Sequence, residues 1–174
     1  GRREAAALHR DPVDAPRPPD SVSGTGLSIT FVNHATVLIQ TGSVNLLTDP
    51  IWSERASPSS WLGPARYRPP GLPLSRLPPI HAVIVSHNHY DHMDRDSLRR
   101  LRDEHDPLFI VPLGNCGYMG LRGDPRCREL DWWQDVELDS LTLTATPAQH
   151  FSGRGLRDRN RTLWASWVIQ SSEH

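Results

Sequence analysis

Lysine is absent from the 174-residue sequence, so all 19 of its basic residues are arginines. The chain also carries 20 acidic residues, and its formal net charge of −1 excludes a nucleic-acid-binding surface built on bulk positive charge. We attribute the missing lysines to codon bias rather than to a set of phosphate-binding arginines. We therefore expect no nucleic-acid partner.

Long hydrophobic runs are also absent. Hydrophobic residues make up 37% of the chain, and no stretch approaches the ~18 consecutive apolar residues of a membrane-spanning helix. No signal peptide is visible, although the first residue is Gly1 rather than methionine. These absences exclude an integral membrane protein and predict a cytoplasmic or peripheral membrane location.

Cysteine is scarce. Cys116 and Cys127 are too few for a disulfide-stapled scaffold, and their spacing matches no zinc-binding motif. We therefore expect a reduced, intracellular environment. The chain length corresponds to about one domain.

The sequence pattern divides the chain into an arm and a strand-rich domain. Residues 1–24, rich in proline and arginine, have too little apolar surface to fold and are predicted to be extended or disordered. Residues 25–174 form the domain, in which residues 49–79, with eight prolines, are predicted to be a long loop. One helix is predicted over 93–105, with Asp94 as its N-cap. Strands are predicted over 27–32, 36–40, 44–48, 80–85, 108–111, 128–130, 136–138, 141–146 and 163–170. This tally indicates the α+β class.

Two of these strands have contrasting patterns. In the first, Leu27, Ile29 and Phe31 alternate with polar residues, which predicts a half-buried strand with an apolar inner face. Residues 80–85 are almost continuously apolar, which is typical of a strand buried on both faces.

A cluster of metal-ligating residue types directly follows that buried strand. His87, His89, Asp91 and His92 lie within six residues, immediately before the predicted helix. A strand-to-helix loop can direct several side chains to one point while its flanking elements hold the backbone rigid. Imidazole and carboxylate ligands together suit zinc, and also iron or manganese.

A further ligand must come from elsewhere in the chain. His150 is the best candidate, since it lies just after an alternating strand and a loop could return it over the sheet edge. Asp49, at the end of another strand, is predicted to accept the N–H of a ligating imidazole and so to fix its tautomer. The remaining histidines are predicted to have other roles: His34 in a turn, His81 in the core, His105 as a cation at the helix C-terminus, and His9 and His174 in solvent.

These residues and several separated motifs resemble the metallo-β-lactamase superfamily. More narrowly, they resemble N-acyl-phosphatidylethanolamine-hydrolysing phospholipases D and their bacterial relatives. The motifs are LTDPIWSERASP (residues 47–58), GP (63–64), SHNHYDH (86–92), ELDWW (129–133), TPAQH (146–150) and NRTLWASW (160–167). One departure is Asn33, where the family usually has glycine, and it changes the chemistry of the turn at His34.

The resemblance implies an αββα sandwich with two zinc ions. His87, His89 and His150 would hold one zinc, and Asp91 and His92 would contribute to the second. The family continues into an aspartate that bridges the two metals and a last histidine, which this sequence does not reach. We therefore expect the first half of the sandwich, one sheet plus helix. We also expect one zinc at most, and a chain that alone is inactive or aggregation-prone. It would pair with a missing C-terminal segment or form a homo-oligomer.

The resemblance also implies a phosphodiesterase that cleaves N-acyl-phosphatidylethanolamine through a metal-bound hydroxide. Asp91 would be a ligand and a candidate for orienting that nucleophile. Candidate substrate contacts are Tyr90, Trp52, Trp61 and Arg66, the last three in a loop suited to a peripheral membrane contact. Two alternatives stay open: a hydrolase of the same fold that acts on a soluble lactone or small phosphodiester, and a non-catalytic truncated fragment that lacks the second metal.

Overall fold

A computed structural model of the chain describes residues 16–59 and 61–171, which form two sheets and two α-helices. The first sheet contains β1 (Leu27–Asn33), β2 (Thr36–Thr41), β3 (Val44–Thr48), β4 (Ala82–Ile84), β5 (Leu108–Pro112) and β6 (Cys127–Leu130), in that spatial order. The second contains β7 (Asp135–Leu138), β8 (Leu141–Thr146) and β9 (Ser166–Ser171). The helices are α1 (Arg95–His105) and α2 (Asn115–Tyr118), and Leu74–Arg76 form a 3-10 turn.

The pairing of the first sheet changes direction at β3. The strands β1, β2 and β3 are antiparallel neighbours, whereas β3, β4, β5 and β6 run parallel. Parallel strands need crossover connections on the sheet faces, which explains why residues in β3 and β4 are buried on both sides. The carboxyl ends of β3, β4 and β5 therefore meet at one edge of the sheet.

A hydrophobic layer lies on each face of the first sheet. On the outer face, Val83 belongs to the cluster that includes Leu101 of α1. On the inner face, Ile84 and Ile110 cluster with Leu143 of the second sheet. The molecule thus has three layers, with α1 and the long loop on one side and the second sheet on the other.

The α+β class is confirmed, but the expectation of a single sheet is wrong. The three strands of the second sheet pair only with one another among the described residues. Leu141, Leu143 and Ala145 alternate along β8 and are buried, so this sheet presents one apolar face to the first.

The apolar side of β1 is exposed rather than half-buried. Leu27, Ile29 and Phe31 are 46%, 64% and 66% exposed. Ile29 pairs with Ile39, which packs at the margin of the layer between the sheets. The second sheet covers the middle of the first sheet and does not extend over β1.

The arm and the long loop contain little regular structure. Residues 1–15 of the predicted arm lie outside the described residues. Residues 16–24 form neither helix nor strand, but the Pro19 and Asp20 carbonyls accept hydrogen bonds from Gln40 and Asn45, at 2.8 Å each. In the described part of the loop, an isolated bridge joins Arg55 to Ala65.

The two cysteines are joined in a disulfide, contrary to the reduced state expected from the sequence. Cys116 of α2 and Cys127 of β6 have Cα atoms 6.0 Å apart. They lie 11 positions apart in the sequence, but β5 and β6 are neighbours in the sheet, so the turn carrying α2 returns directly to β6.

Candidate metal centre

The site is assembled at the edge where the parallel strands end. Asp49 follows β3, and residues 86–92 follow β4, so the two segments are neighbours across the sheet. His150 comes from the second sheet, in the loop after β8.

The loop that carries His150 is held against residues 86–93 by hydrogen bonds. The Gly153 N–H donates to Oδ1 of the buried Asn88 at 2.7 Å, and the Arg154 guanidinium donates to the carbonyls of Asn88 and Met93 at 2.8 and 2.7 Å. The Trp164 indole donates to the Ala148 carbonyl at 2.8 Å. These contacts determine where His150 lies.

Three imidazoles converge on one point. His87 Nε2 lies 2.8 Å from His89 Nδ1 and 2.9 Å from His150 Nε2, and the latter two nitrogens are 3.3 Å apart. A tetrahedral zinc with Zn–N bonds of about 2.0–2.1 Å separates its ligands by about 3.3 Å. Three nitrogens this close, with one lone pair each, form a donor set that fits a cation.

The buried carboxylate of Asp49 fixes the tautomers of two rings. Its Oδ2 accepts hydrogen bonds from the Ser86 hydroxyl at 2.7 Å and from His92 Nδ1 at 2.8 Å. Because the Ser86 proton points to Asp49, the Ser86 oxygen accepts from His87 Nδ1 at 2.8 Å. The Nε2 atoms of His87 and His92 are therefore left with lone pairs for a metal.

Burial and mutual repulsion lower the pKa of two of the rings, His87 and His89. Burial, then the neighbouring His92, His89 and His150, lower the pKa of His87 to about 3. Burial, followed by His150, also lowers the pKa of His89. Neutral imidazole is the form that binds metal, so protons compete weakly for His87.

The pKa values of His92 and Asp91 shift in the directions that favour their charged forms. Burial alone would lower the pKa of His92, but the hydrogen bond to Asp49 and the charge of that carboxylate raise it. Burial alone would raise the pKa of Asp91, but His92 and then His34 lower it.

A second group of ligand atoms lies beside the first. Asp91 Oδ2 is 3.1 Å from His34 Nε2 and 3.7 Å from His92 Nε2, and the three atoms all lie within 4.8 Å of one another. The sequence predicted Asp91 and His92 here but assigned His34 only to a turn. The residue does occupy the turn between β1 and β2.

The predicted substrate residues are not all at the site. Tyr90 lines the space beside the histidines, and its ring lies under the Arg154 guanidinium, 4.0 Å from the ring centroid. Trp61 is 74% exposed, whereas Trp52 packs against the core and its indole donates to the Leu72 carbonyl at 2.9 Å. The Arg66 guanidinium donates to the Ile51 and Ser53 carbonyls, so it braces the loop, and Arg66 lines the same space as Tyr90.

Two further histidines differ from their predicted roles. His81 is exposed, not in the core, and its Nδ1 accepts the Asn45 N–H at 3.0 Å. His105 Nδ1 accepts the Ile80 N–H at 3.3 Å, and burial lowers the pKa of His105. A neutral acceptor, not a cation, therefore occupies the C-terminus of α1.

A cavity of about 890 Å³ opens beside the histidines. Its lining includes His34, His89 and Asp91, and its other walls are largely apolar residues of β1 and the long loop. These apolar residues are Phe31, Val32, Ile51, Ala56, Pro64, Ala65, Tyr67 and Pro69.

A family model described as a beta-lactamase superfamily domain matches residues 44–174. The chain belongs to the metallo-β-lactamase superfamily. The superfamily resemblance drawn from the sequence motifs is thus confirmed.

Two curated relatives of this superfamily member are informative. An uncharacterised protein of Mycobacterium tuberculosis is 44% identical over 150 residues, covering 85% of this chain and 40% of the relative. N-acyl-phosphatidylethanolamine-hydrolyzing phospholipase D 1 of Caenorhabditis elegans is 39% identical over 160 residues, covering 86% of this chain and 45% of the relative. The chain therefore spans less than half the length of these relatives.

A solved structure of the same fold is CmlA, a diiron β-hydroxylase from Streptomyces venezuelae. Its TM-score is 0.60 at 23% identity, with 87% of this chain and 28% of that chain covered. This likeness supports the fold alone.

In the described part of this chain, α1 has 11 residues and α2 has four, whereas crossing a bilayer needs about 20, so neither helix spans a membrane.

Proposed function

We propose that this chain forms the metal-binding part of a zinc-dependent hydrolase, a phospholipase D-type phosphodiesterase acting on N-acyl-phosphatidylethanolamine-like lipids. The observation that carries the proposal is the convergence of His87, His89 and His150 beside a largely apolar cavity.

A bound divalent cation would lower the pKa of a coordinated water toward about 7 and offset charge that develops on the phosphoryl oxygens. The protein orients the metal ligands. Asp49 and Ser86 hold His87 Nε2 toward the shared point, and the depressed pKa of His87 keeps its lone pair free at neutral pH. Asp91 would bind the cation and orient the attacking water.

The choice of zinc rests on the donor set. Three imidazole nitrogens with room for one further ligand are the usual set of a catalytic zinc. The neighbouring group adds a carboxylate, which iron or manganese also accept. Metal analysis of the purified protein by mass spectrometry decides among these ions.

The lipid substrate is supported by the cavity and by the worm relative. Apolar walls beside the histidines can hold an acyl chain while the headgroup phosphate reaches the histidines. The 39% identical relative is named for hydrolysis of N-acyl-phosphatidylethanolamine. Trp61 could rest at headgroup depth, since it is exposed on the loop that lines this cavity.

The substrate test uses the natural gene product that contains these residues. Zinc-loaded protein is incubated with vesicles containing N-acyl-phosphatidylethanolamine, and free N-acylethanolamine and phosphatidic acid are quantified. We expect both products, and their loss to below ~1% of the rate in His150→Ala, in line with loss of an essential metal ligand. Hydrolysis of soluble lactones or small phosphodiesters but not of the lipid would reject the lipid assignment and retain the fold-level hydrolase.

The membrane contact is tested separately. Trp61→Ala should weaken sedimentation with vesicles, whereas Trp133→Ala, at a similarly exposed tryptophan in the turn between β6 and β7, should leave it unchanged. Equal binding by the wild type and Trp61→Ala would remove the membrane role of Trp61.

A further inference from the structure

We propose that His34 is the third protein ligand of a second divalent-cation site, formed with Asp91 and His92. The inference rests on the proposed metal-dependent function and deepens it. The sequence motifs leave only two ligands for this cation, and the geometry adds a residue from the turn between β1 and β2.

The two distances from the Asp91 carboxylate to the imidazoles are close to those that a shared cation requires. His34 Nε2 and His92 Nε2 lie 3.1 and 3.7 Å from Asp91 Oδ2. Ligands about 2.0–2.2 Å from one ion are about 3.3–3.6 Å apart in a tetrahedron. The two imidazole rings are 5.1 Å apart between centroids and inclined at 69°, so they approach the carboxylate from different sides.

The Nε2 atoms of both rings face the site. His92 uses Nδ1 to donate to Asp49, which leaves Nε2 as a lone pair directed toward Asp91. His34 presents Nε2, the far nitrogen of its ring, to the same carboxylate oxygen. Two imidazoles and one carboxylate form a ligand set that suits zinc, iron(II) or manganese(II).

The remaining coordination positions would face the substrate. Side chains of His34 and Asp91 are 52% and 44% exposed, and both line the large cavity. His92 is 20% exposed and closes the inner side. A cation here would therefore be open to water and substrate from the cavity.

The backbone at His34 provides an unusual test. Its φ of 43° lies in the left-handed region, which favours glycine over a residue with a Cβ. His34→Gly removes the imidazole and suits the existing turn, so loss of metal binding cannot be ascribed to a broken turn. His34→Gln keeps a hydrogen-bond donor that can reach Asp91 and replaces the strong nitrogen ligand by an amide.

The experiment titrates metal-free 174-residue chain with Zn²⁺ by calorimetry and with Co²⁺ by visible absorption. We expect two equivalents in the wild type and one in His34→Gly, with affinity for the second ion at least ~100-fold weaker and the first site unchanged. His34→Gln should bind the second ion as poorly as His34→Gly. Circular dichroism should show the same folded content in all three proteins.

Other results overturn the inference. Two equivalents with unchanged affinity in His34→Gly would exclude ligation, and so would recovery of the second site in His34→Gln, which would make His34 a positioning residue for Asp91. One equivalent in the wild type, lost in His87→Ala but not in Asp91→Ala, would reject the second site and leave the proposed function standing. No bound metal in the wild type would reject both.

Discussion

At the residue scale, Asp49 connects the backbone of the site to its imidazoles. One carboxylate oxygen accepts the Ser86 N–H at 2.6 Å, and the other accepts the Ser86 hydroxyl and His92 Nδ1. A neutral amide cannot accept all three hydrogen bonds and would present two donors of its own. Both ligating rings tied to Asp49 would then be free to change tautomer or rotate.

We therefore predict that Asp49→Asn weakens zinc binding by about 10–100-fold, the usual effect of losing a partner behind a metal ligand. Calorimetric titration measures it. Asp96→Asn, an exposed carboxylate in the first turn of α1, removes the same charge and should leave zinc affinity within about 3-fold. Equal affinities in the two variants would show that Asp49 only stabilises the fold.

His105 gives a prediction for pH. Its folded-state pKa is lowered by burial, so below an unfolded pKa of about 6.5 the unfolded chain binds a proton that the folded chain does not. Stability is therefore retained above this pH and is lost as the pH falls toward the lowered folded pKa. An asparagine side chain in place of His105 would not titrate and could still accept the Ile80 N–H.

We expect His105→Asn to match the wild type in urea unfolding at about pH 7.5 and to lose less stability between about pH 6.5 and 5, in metal-free protein. Other histidines contribute to both proteins, so the difference between the two curves isolates His105. Superimposable curves across this range would contradict the prediction.

The sequence could predict local ligands better than distant ones. His87, His89 and His92 are adjacent in one loop, and their spacing predicted a site before any fold was known. His34 escaped because a histidine in a turn has an ordinary explanation, and only strand pairing brings it within 3.1 Å of Asp91. Trp52 was predicted as a substrate contact, but its indole donates a hydrogen bond to the Leu72 carbonyl. No sequence pattern reveals that contact.

At the element scale, the start of α1 connects the helix to the long loop. Asp94 caps α1 through Asp96 N–H, and its carboxylate also accepts hydrogen bonds from Ser53 and Ser97. The N-cap was predicted from the residue type and helical spacing, and it is confirmed. The contact with Ser53, 41 positions earlier in the chain, could not be predicted in this way.

Replacing Asp94 by alanine should cost about 2–4 kcal/mol of unfolding free energy, because a cap is lost and buried donors are left unpaired. Equilibrium unfolding in urea measures this loss. Asp96→Ala, in the same turn but exposed, should cost less than about 1 kcal/mol. A similar small loss for Asp94→Ala would mean that water replaces its partners.

Element boundaries were predictable where periodicity was strong. Residues 44–48 and 141–146 were predicted as strands with the observed bounds, since alternation or continuous burial marks them clearly. Helix α2 was missed because four residues form only one turn, too short for a helical period. The strand predicted over residues 163–170 begins at Ser166, since Leu163 and Ala165 instead donate N–H groups to Leu113 and Ser86 carbonyls.

At the scale of the whole molecule, the second sheet leaves part of the first uncovered. The alternation of apolar and polar residues in β1 correctly identified an apolar side. Whether that side is covered depends on how far the second sheet extends. Sequence periodicity reports which residues share a face and contains no information on the width of the opposing layer.

The exposed face predicts that the 174-residue chain alone binds the dye ANS or self-associates, since contiguous apolar surface of this kind is rare on monomers. Ile29→Thr together with Phe31→Ser should lower ANS fluorescence and raise the monomer fraction in size-exclusion chromatography. Phe109→Ser, a fully buried control, should instead unfold the protein and raise ANS fluorescence. Low ANS binding by the wild type would show that this face is covered in solution.

The three imidazoles come from two different layers, so metal binding would affect how firmly those layers are held together. His87 and His89 follow β4 of the first sheet, and His150, 63 residues after His87, follows β8 of the second. A cation shared among them would be a reversible cross-link between the layers, so cohesion of the sandwich would depend on metal supply. We expect the melting temperature to rise with the logarithm of free zinc, and His150→Ala to reduce that slope in a thermal-shift series. Removal of the ion by a chelator would then weaken the packing between the two sheets and also abolish the metal-dependent chemistry of the site.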